Sequence, residues 1–242
     1  MQNPCQVKQI MVTAIVPARL GSRGIPGKNL RPLGGVPLVV RAAQVGRDAG
    51  CRVVITSDAS VREQVEWGCQ ADHYLCRSED LASDTAAMID VVKDVVARTV
   101  GDTYALLQPT QPFRTPAHIR AALGLLLLSG ADSVVSVVEL PASHNPQSLC
   151  VIGDDGRLEP FWTVDNGLFT WADTPQRRQD VIPAWRRDGT CYVFKRSTVE
   201  RHGTIYGADC RPLIIPAEES CELDTEENWA EVERRWAARA QP

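Results

Sequence analysis

The sequence contains no long apolar run and has a small deficit of positive charge. No stretch of about 18 apolar residues occurs in the 242 residues, which excludes a membrane-spanning helix and predicts no membrane partner. The longest apolar run, LGLLLL at 123–128, is too short to span and is expected to form the buried face of a helix. The net charge of −4 argues against nucleic acid as a partner, because nucleic-acid binding needs a basic face.

The sequence also begins without the features of a secretion signal. Its first residues lack a charged start followed by an apolar segment and a small-residue cleavage site, so a cytoplasmic protein is expected. The eight cysteines contain no C-x-x-C pair, and the four histidines are scattered along the chain. Structural zinc sites usually need closely spaced ligand pairs, so we expect reduced, mostly buried thiols.

Apolar runs alternate with helical patterns along most of the chain. The expected strands are Val12–Val16, Val53–Thr56, Tyr104–Gln108, Ser133–Val138, Cys191–Phe194 and Leu213–Ile215. The expected helices are Pro37–Ala49, Ser60–Gly68, Thr85–Val100, Pro116–Leu128 and Thr225–Ala240. This alternation predicts βαβ units in an α/β fold with a mostly parallel central sheet, formed as a single domain over residues 1–242. Ligands of such sheets bind beyond the carboxyl ends of the strands.

One segment interrupts this alternation. Residues 141–187 are rich in Pro, Asp, Gly, Trp and Arg, and they show no long helical period. A segment of this length inside a domain is more typical of a hairpin arm, a substrate loop or a contact between subunits than of a plain connection.

The first predicted strand leads into a loop that is both flexible and basic. Residues 15–29 read IVPARLGSRGIPGKN, which places three glycines and three cationic side chains within one short segment. Glycines let the backbone approach a ligand and point its N–H groups inward, and Arg19, Arg23 and Lys28 would suit phosphate oxygens. The spacing matches neither G-x-G-x-x-G nor the P-loop pattern. The alternative is a surface loop with solvated basic side chains.

Two carboxylates near the end of the chain could bind a metal ion. The segment CELDTEENW places Glu222 and Asp224 two residues apart in an extended stretch, so both side chains would face the same side. Oxygen ligands of this kind suit Mg2+, which typically takes one or two carboxylates plus phosphates and water. The alternative is that Asp224 or Thr225 only caps the last helix.

Two further segments follow predicted strands. The segment LLQPTQPFRT at 106–115 contains two prolines that favour a rigid turn, and it presents Gln108, Thr110, Gln111 and Arg114 beyond the strand end. The segment CRSEDLASDTAAMID at 76–90 carries Arg77 into a helix start, where free N–H groups can meet an anion or a base edge. Simple N-capping by Ser83 or Asp84 is the alternative.

Together these segments resemble the acylneuraminate (CMP-sialic acid) cytidylyltransferases. The resemblance covers IVPARLGSRGIPGKN, VVITSD, RSEDLASDTAAMID, LLQPTQPFRT, RRDGTCYVF and ELDTEENW, in order along nearly the whole chain. It implies a Rossmann-like nucleotidyltransferase fold, a Mg2+-dependent reaction with Mn2+ as an alternative, and a homodimer. In that dimer an irregular arm, for which residues 141–187 are the candidate, would reach into the neighbouring site.

The resemblance also implies a role for individual residues. Nucleotide contacts would come from Arg19, Leu20, Gly21, Ser22, Arg23, Lys28, Asn29, Arg77, Ala86 and Met88. Sugar contacts would come from Gln108 and Thr110, with Arg178 or Arg186 pairing with the sugar carboxylate. Glu222 and Asp224 would be the metal ligands. Arg19, Lys28 and Asp224 would be the catalytic residues.

The implied reaction joins a 2-keto-3-deoxy acid sugar with eight or nine carbons to CTP, giving the CMP-sugar and pyrophosphate. This chain has Arg23 where the family usually has Lys, Glu222 in place of the first Asp of Asp-x-Asp, and Met88 in place of a serine near the base. Asp188 replaces a common Asn, which bears on the sugar. The alternatives are an enzyme for legionaminic, pseudaminic or a related acid, one for Kdo (disfavoured by QPTQP), and a nucleotide-binding member with altered base preference.

Overall fold

The structure is a computed structural model that describes residues 11–19, 21, 24–58, 71–83, 85–161, 163–164, 167–168, 171 and 177–239. Its strands are β1 (Val12–Ala18), β2 (Pro32–Leu33), β3 (Val36–Pro37), β4 (Arg52–Ser57), β5 (His73–Cys76), β6 (Thr103–Leu106), β7 (Ser133–Glu139), β8 (Cys150–Ile152), β9 (Leu158–Pro160), β10 (Thr163–Val164), β11 (Gly167–Leu168), β12 (Trp185–Lys195) and β13 (Cys210–Ile214). Its helices are α1 (Leu38–Asp48), α2 (Glu79–Ala82), α3 (Met88–Arg98), α4 (Pro116–Ser129), α5 (Arg196–His202) and α6 (Glu226–Arg239).

A seven-stranded sheet of order β13-β7-β12-β6-β1-β4-β5 forms the centre of the described chain. Strand β1 pairs in parallel with β4 on one side and β6 on the other, and β12 pairs antiparallel with both β6 and β7. The remaining pairs, β4 with β5 and β7 with β13, are parallel. The predicted α/β fold with a mostly parallel sheet is therefore confirmed.

The alternation of side chains along β1 distributes the core over both faces of the sheet. Ala14 and Val16 point into a cluster that also contains Val39 of α1 and Ile119 of α4. Ile15 points to the opposite face, where it belongs to a second cluster with Val92, Val95 and Val96 of α3. Successive strand residues face opposite sides of a sheet, so an uninterrupted apolar strand such as β1 needs helices on both faces.

Several elements differ from the sequence prediction. All six predicted strands overlap observed ones, but α2, α5, β5 and the short strands β2, β3 and β8–β11 were not predicted, and β12 extends well beyond Cys191–Phe194. The helix predicted at Ser60–Gly68 lies outside the described residues. In the run 123–128, the side chain of Leu126 is buried, whereas Leu127 and Leu128 are exposed. Adjacent helical residues point in different directions, so a run of six cannot occupy one buried face.

The cysteine prediction is correct only in part. The six cysteines in the described part of the chain are all free thiols. Cys51, Cys191 and Cys221 are buried as expected, whereas Cys76, Cys150 and Cys210 are exposed. Burial raises the pKa of the Cys191 thiol to about 12, and it does the same for Cys221. These two thiols are therefore protonated at neutral pH and pack as small apolar groups.

Residues 141–187 form short elements outside the main sheet. The strands β8 and β9 pair antiparallel, as do β10 and β11, and short 3-10 turns lie at Ala142–His144, Pro146–Ser148 and Arg178–Asp180. The last three residues of the range already belong to β12, since Trp185 pairs with Glu139 and Arg186 with Val138 of β7. This pairing returns the chain from the irregular segment to the edge of the sheet where the parallel strands end.

Candidate active site

A cavity of about 710 Å³ lies at the carboxyl ends of β1, β5 and β6. Because β12 runs antiparallel to these strands, its first residues reach the same edge of the sheet. We call this space the main cavity. Its predicted site residues are Arg19, Lys28, Asn29, Arg77, Ala86, Met88, Gln108, Thr110, Arg186, Glu222 and Asp224. The sequence segments that lie far apart along the chain thus line one cavity, at the position expected for a parallel sheet.

The loop after β1 is anchored to the protein core by one buried side chain, that of Ile25. Ile25 is fully buried in a third core cluster, with Leu38 of α1 and Trp229 of α6. Gly27 adopts a left-handed conformation with φ 63° and begins a 3-10 turn over Lys28–Leu30. This turn directs Asn29 back toward β1, where its side-chain amide donates to the backbone carbonyl of Arg19 at 3.0 Å. The loop is therefore an ordered wall of the main cavity where the structure describes it.

Lys28 connects this loop to the segment that carries the two carboxylates. Its Nζ donates to the backbone carbonyl of Leu223 at 2.5 Å and to Oδ1 of Asp224 at 2.9 Å. The Lys28 side chain is 12% exposed, and that of Asp224 is 79% exposed. A Cβ atom on Gly24 would lie 1.9 Å from the carbonyl oxygen of Asp224, so only glycine permits this close approach. The predicted phosphate-binding lysine and the predicted metal ligand are thus direct partners.

The second carboxylate has a cationic partner of its own. Arg186, at the start of β12, places its guanidinium 3.1 Å from Oε1 of Glu222 and 3.5 Å from the hydroxyl of Ser220. The Glu222 side chain is 60% exposed. Arg186 is one of the two arginines predicted to bind a sugar carboxylate, so both predicted metal ligands pair with predicted substrate-binding cations.

Another part of the cavity lining combines a buried arginine with a short apolar surface. Arg77 is 8% exposed and donates to the side-chain oxygen of Thr56 at 3.2 Å and to its carbonyl at 3.0 Å. Burial lowers the pKa of the Arg77 guanidinium to about 10, which leaves it charged at neutral pH. Met88 begins α3 and exposes its thioether to the cavity beside Leu81 and Val91. This part of the lining therefore offers apolar contact through Met88 and a fixed cation in Arg77.

Gln111 and Arg114, expected to be presented beyond the end of β6, form a buried polar cluster beneath the cavity instead. The side-chain amide of Gln111 donates to the backbone carbonyls of Asp188 and, at 3.0 Å, Cys221. Arg114 donates to the carbonyls of Thr190 and, at 2.6 Å, Gln108. Burial lowers the pKa of Arg114 to about 10. These two side chains tie β12 and the 220–224 segment to the loop after β6.

Asp188 lines the main cavity, and its carboxylate is hydrogen-bonded within its own turn. Its two carboxylate oxygens accept hydrogen bonds from the backbone N–H of Thr190 at 3.0 Å and from the Thr190 hydroxyl at 2.6 Å. The residue is 3% exposed and follows Arg186 and Arg187 on β12. A buried carboxylate needs such donors, and they fix the turn at Gly189, which has a positive φ of 77°.

Some predicted site residues are not placed by this geometry. Leu20, Ser22 and Arg23 lie outside the described residues. Gly21 is described but is not among the residues lining the cavity. Arg178 begins a 3-10 turn over Arg178–Asp180 in the irregular segment, and its side chain is not described. Their roles remain predictions.

The carboxylates of the main cavity are few. Among the residues that the structure describes, no group of three or more His, Cys, Asp or Glu side chains is arranged to hold a metal ion. Glu222 and Asp224 supply two carboxylates, which fits Mg2+ because this ion keeps several water or phosphate ligands.

The described helices include none that is long and apolar enough to cross a membrane.

Comparisons with known proteins place the chain in a family. The sequence model described as "Cytidylyltransferase" matches residues 13–213. A CMP-N,N'-diacetyllegionaminic acid synthase of Legionella pneumophila is 31% identical over 92% of this chain and 95% of its own length. N-acylneuraminate cytidylyltransferase A of Danio rerio is 30% identical over 96% of this chain, which spans 52% of that relative's length.

A solved structure agrees on the fold. A CMP:2-keto-3-deoxy-manno-octonic acid synthetase in complex with CTP superposes with a TM-score of 0.68 at 17% identity, over 95% of this chain and 99% of the other. The fold, the motif order and the family match agree, and the chain belongs to the cytidylyltransferase family of nucleotidyltransferases, as its resemblance to the acylneuraminate enzymes predicted.

Proposed function

We propose that this protein transfers CMP from CTP to a sialic-acid-like 2-keto-3-deoxy acid sugar and releases pyrophosphate. The observation that carries the proposal is the pairing of Lys28 with Asp224 and of Arg186 with Glu222 along one wall of the main cavity. In this reaction the anomeric 2-hydroxyl oxygen forms a bond to the α-phosphorus. The bond from the α-phosphorus to the bridging oxygen breaks, pyrophosphate leaves with the electron pair, and the hydroxyl proton passes to water.

Two parts of the cavity lining suit the two ends of the nucleotide. The apolar surface at Met88, next to the buried Arg77, would receive the cytosine, and Lys28 with Arg19 would hold the phosphates. Phosphoryl transfer depends mainly on aligned oxygens and neutralised charge, so fixed cations at this position are the main requirement. Gln108, whose carbonyl accepts from Arg114, and Thr110 would face the sugar.

The exposed carboxylates of Glu222 and Asp224 would hold Mg2+, with Mn2+ as an alternative. Bound there, the ion would neutralise phosphate charge and favour ionisation of the attacking hydroxyl. In the structure Asp224 pairs with Lys28 and Glu222 pairs with Arg186, so both ion pairs must open before the carboxylates can bind the ion. A triphosphate gives Lys28 a new anion and a sugar carboxylate gives Arg186 one, which frees Asp224 and Glu222 together.

The choice of sugar rests on the relatives. The Legionella relative, which matches over 95% of its length, is named for N,N'-diacetyllegionaminic acid, and the Danio relative is named for acylneuraminate. Legionaminic acid is therefore the second candidate beside a sialic acid. The Kdo synthetase supports the fold alone at 17% identity.

The proposal includes a cytoplasmic homodimer built through the irregular segment. Exposed large apolar side chains concentrate in this part of the chain. They are Leu149, Val151, Ile152, Leu158, Phe161, Trp171, Ile182 and Trp185. Such a concentration is typical of a surface covered by a partner, and a second copy of this chain is the partner we propose. Sedimentation of the wild-type protein beside an Ile152→Glu, Leu158→Glu variant tests it, because a dimer is expected only for the wild type.

Pyrophosphate release tests the reaction. Purified protein is given CTP, Mg2+ and each of four acids: N-acetylneuraminic, N,N'-diacetyllegionaminic, pseudaminic and Kdo. Release is expected with CTP and one of the first two acids and to stop when the ion is removed with EDTA. The same panel with ATP, GTP and UTP examines the base preference at Met88. Absence of release with every acid and nucleotide would contradict the proposed function.

A further inference from the structure

A second cavity of about 350 Å³ lies behind the loop that lines the main cavity. The loop between β6 and α4, residues 107–115, separates the two spaces, and we call it the dividing loop. Its first half, Gln108 to Gln111, lines the main cavity, and its second half, Pro112 to Thr115, lines the second cavity. The residues proposed to bind CTP and the sugar take no part in the second cavity, which is large enough for a small molecule.

Two aromatic rings form the body of the second cavity. Phe113 and Trp236 stack with ring centroids 6.2 Å apart and an interplanar angle of 14°. Phe113 is buried, and Trp236 comes from the last helix, α6. A Cβ atom on Gly34 would lie 2.4 Å from Nε1 of Trp236, so the turn between β2 and β3 also packs closely on this ring. The cavity therefore has a rigid, flat apolar surface.

Three arginines surround these rings. The guanidinium carbon of Arg41 lies 3.8 Å from the centroid of Trp236, and those of Arg239 and Arg235 lie 4.1 Å and 4.5 Å from the centroid of Phe113. Arg41 and Arg239 line the cavity itself, as does the buried Arg114. Positive charge is thus concentrated at one place on a protein whose net charge is −4.

Only part of the hydrogen-bonding capacity of these three guanidinium groups is used. Arg41 donates to the backbone carbonyl of Leu33 at 2.6 Å, and Arg235 and Arg239 both donate to the carbonyl of Glu218 at 2.5 Å. Within the described ranges, no Asp or Glu oxygen lies within 4.0 Å of a guanidinium nitrogen of the three. The Nε of Arg41 is shielded from solvent without a hydrogen-bond partner there, and burial lowers the pKa of its guanidinium.

We infer that the second cavity binds a small organic anion, with a flat apolar body against Phe113 and Trp236 and a carboxylate or phosphate group on Arg41 and Arg239. An anion would supply the charge that the surrounding residues do not, and guanidinium groups bind both anionic groups through paired N–H donors. Binding here is independent of the proposed reaction, since none of the four residues lines the main cavity.

Fluorine NMR of protein labelled with 5-fluorotryptophan tests the inference, with the Trp236 signal assigned through Trp236→Phe. Benzoate and phenyl phosphate are the probes, and neutral benzamide and inorganic phosphate are the controls. A saturable shift of the Trp236 signal is expected with at least one probe and with neither control. A response to both probes supports a site for either anionic group, and a response to one identifies the group. Saturating CTP should not displace the probe.

Matched variants assign the shift to the cavity. Arg41→Gln with Arg239→Gln should weaken probe binding by at least about tenfold, because two of the three guanidinium groups that line the cavity lose their charge and only that of the buried Arg114 remains. Arg239→Gln alone changes an exposed residue and serves if the double variant does not fold. Arg234→Gln, on the same helix but paired with Glu231, should leave binding unchanged. No saturable shift at millimolar probe, equal binding by all variants, or displacement by CTP would overturn the inference.

Discussion

The two cavities beside the dividing loop satisfy their cations in different ways. In the main cavity, Lys28 and Arg186 pair with the exposed carboxylates of Asp224 and Glu222. In the second cavity, Arg41 and Arg239 lie over aromatic rings, and the described residues place no carboxylate within 4.0 Å of them. An exposed ion pair is easily exchanged for another anion, whereas a guanidinium stacked on a ring is fixed while part of its hydrogen-bonding capacity stays open. The first arrangement suits turnover, and the second suits structure and retention of a ligand.

The largest effect is expected from breaking the ion pair at Asp224. Asp224→Asn keeps the size of the side chain and removes its charge, so Lys28 loses its partner and the proposed metal site loses a ligand. Turnover, measured as pyrophosphate release from CTP and the preferred acid, should fall by about 10²–10³-fold, the range seen when one charge-stabilising group is removed. The thermal midpoint should change little, because the side chain is 79% exposed.

Glu226→Gln is the matched control for that variant. Glu226 is also an exposed carboxylate paired with a cation, Arg31, only two residues further along the chain. It does not line the main cavity, so its loss should leave turnover unchanged. Full activity of Asp224→Asn with Mg2+ present would show that the metal and phosphate assignments at this wall are wrong.

The next largest effects are expected from adding a methyl group to a closely packed glycine, Gly24 beside the main cavity or Gly34 beside the second cavity. Gly24→Ala places a methyl group 1.9 Å from the carbonyl of Asp224, and Gly34→Ala places one 2.4 Å from Nε1 of Trp236. Each should lower the free energy of unfolding by about 1–3 kcal/mol, as overpacking does. Only Gly24→Ala should also reduce turnover, because it displaces the wall that carries Lys28 and Asp224. Urea denaturation and initial rates, measured on both variants, check this division.

A loss of turnover in both glycine variants would show that the two cavities are coupled through the packing around the dividing loop. Gly27→Ala serves as a second control. It has a positive φ of 63° and nothing within 4 Å of its would-be Cβ, so it should cost only the strain of the left-handed conformation, about 1–2 kcal/mol.

The main cavity was largely predictable from sequence, and the second cavity was not. Some of the residues predicted there stand just after parallel strands, where local motif and sheet topology specify the same place, as with Arg19 after β1 and Gln108 after β6. The Lys28–Asp224 pair joins residues 196 apart, so the motifs named both partners but could not show their contact. Arg41 and Trp236 lie in helices without a motif, and Phe113 lies in the 106–115 segment, whose motif indicated only the main cavity, so only folding shows that the three meet.

Strand β5 and the buried roles of Gln111 and Arg114 also differ from the sequence prediction, because neither leaves a pattern among residues that are neighbours along the chain. Strand β5 was not predicted, since His73–Cys76 is a short edge strand whose residues are mostly exposed or half-buried and carry little apolar pattern. The buried roles of Gln111 and Arg114 depend on carbonyls of Asp188, Cys221 and Thr190, which are more than 70 residues away. Sequence patterns report neighbours along the chain, so hydrogen bonds of this range escape them.

A smaller effect is expected when a stacked cation is removed from the second cavity. Arg41→Gln removes the contact with Trp236 and weakens the hydrogen bond to Leu33, which should lower the free energy of unfolding by about 1–2 kcal/mol. Turnover should be unchanged because Arg41 does not line the main cavity. Arg41→Lys is the informative partner, because it keeps the charge and loses the planar group. Equal stability of Arg41→Lys and wild type in urea would show that charge alone, without stacking, matters here.

The smallest effect is expected at Arg31, which combines both kinds of contact. Its guanidinium pairs with both carboxylate oxygens of Glu226, at 2.8 and 2.6 Å, and lies 4.1 Å from the ring centroid of Trp229. Glu226→Gln removes the ionic partner and leaves the ring. The free energy of unfolding should fall by only about 0.2–1 kcal/mol, and the difference from wild type should shrink in high salt, since the Glu226 side chain is 57% exposed. A larger loss that salt does not reduce would mean that the paired hydrogen bonds to Glu226, rather than the ring of Trp229, hold Arg31. The difference between the two cavities would then depend on how exposed each cation is and not on whether its partner is a carboxylate or a ring.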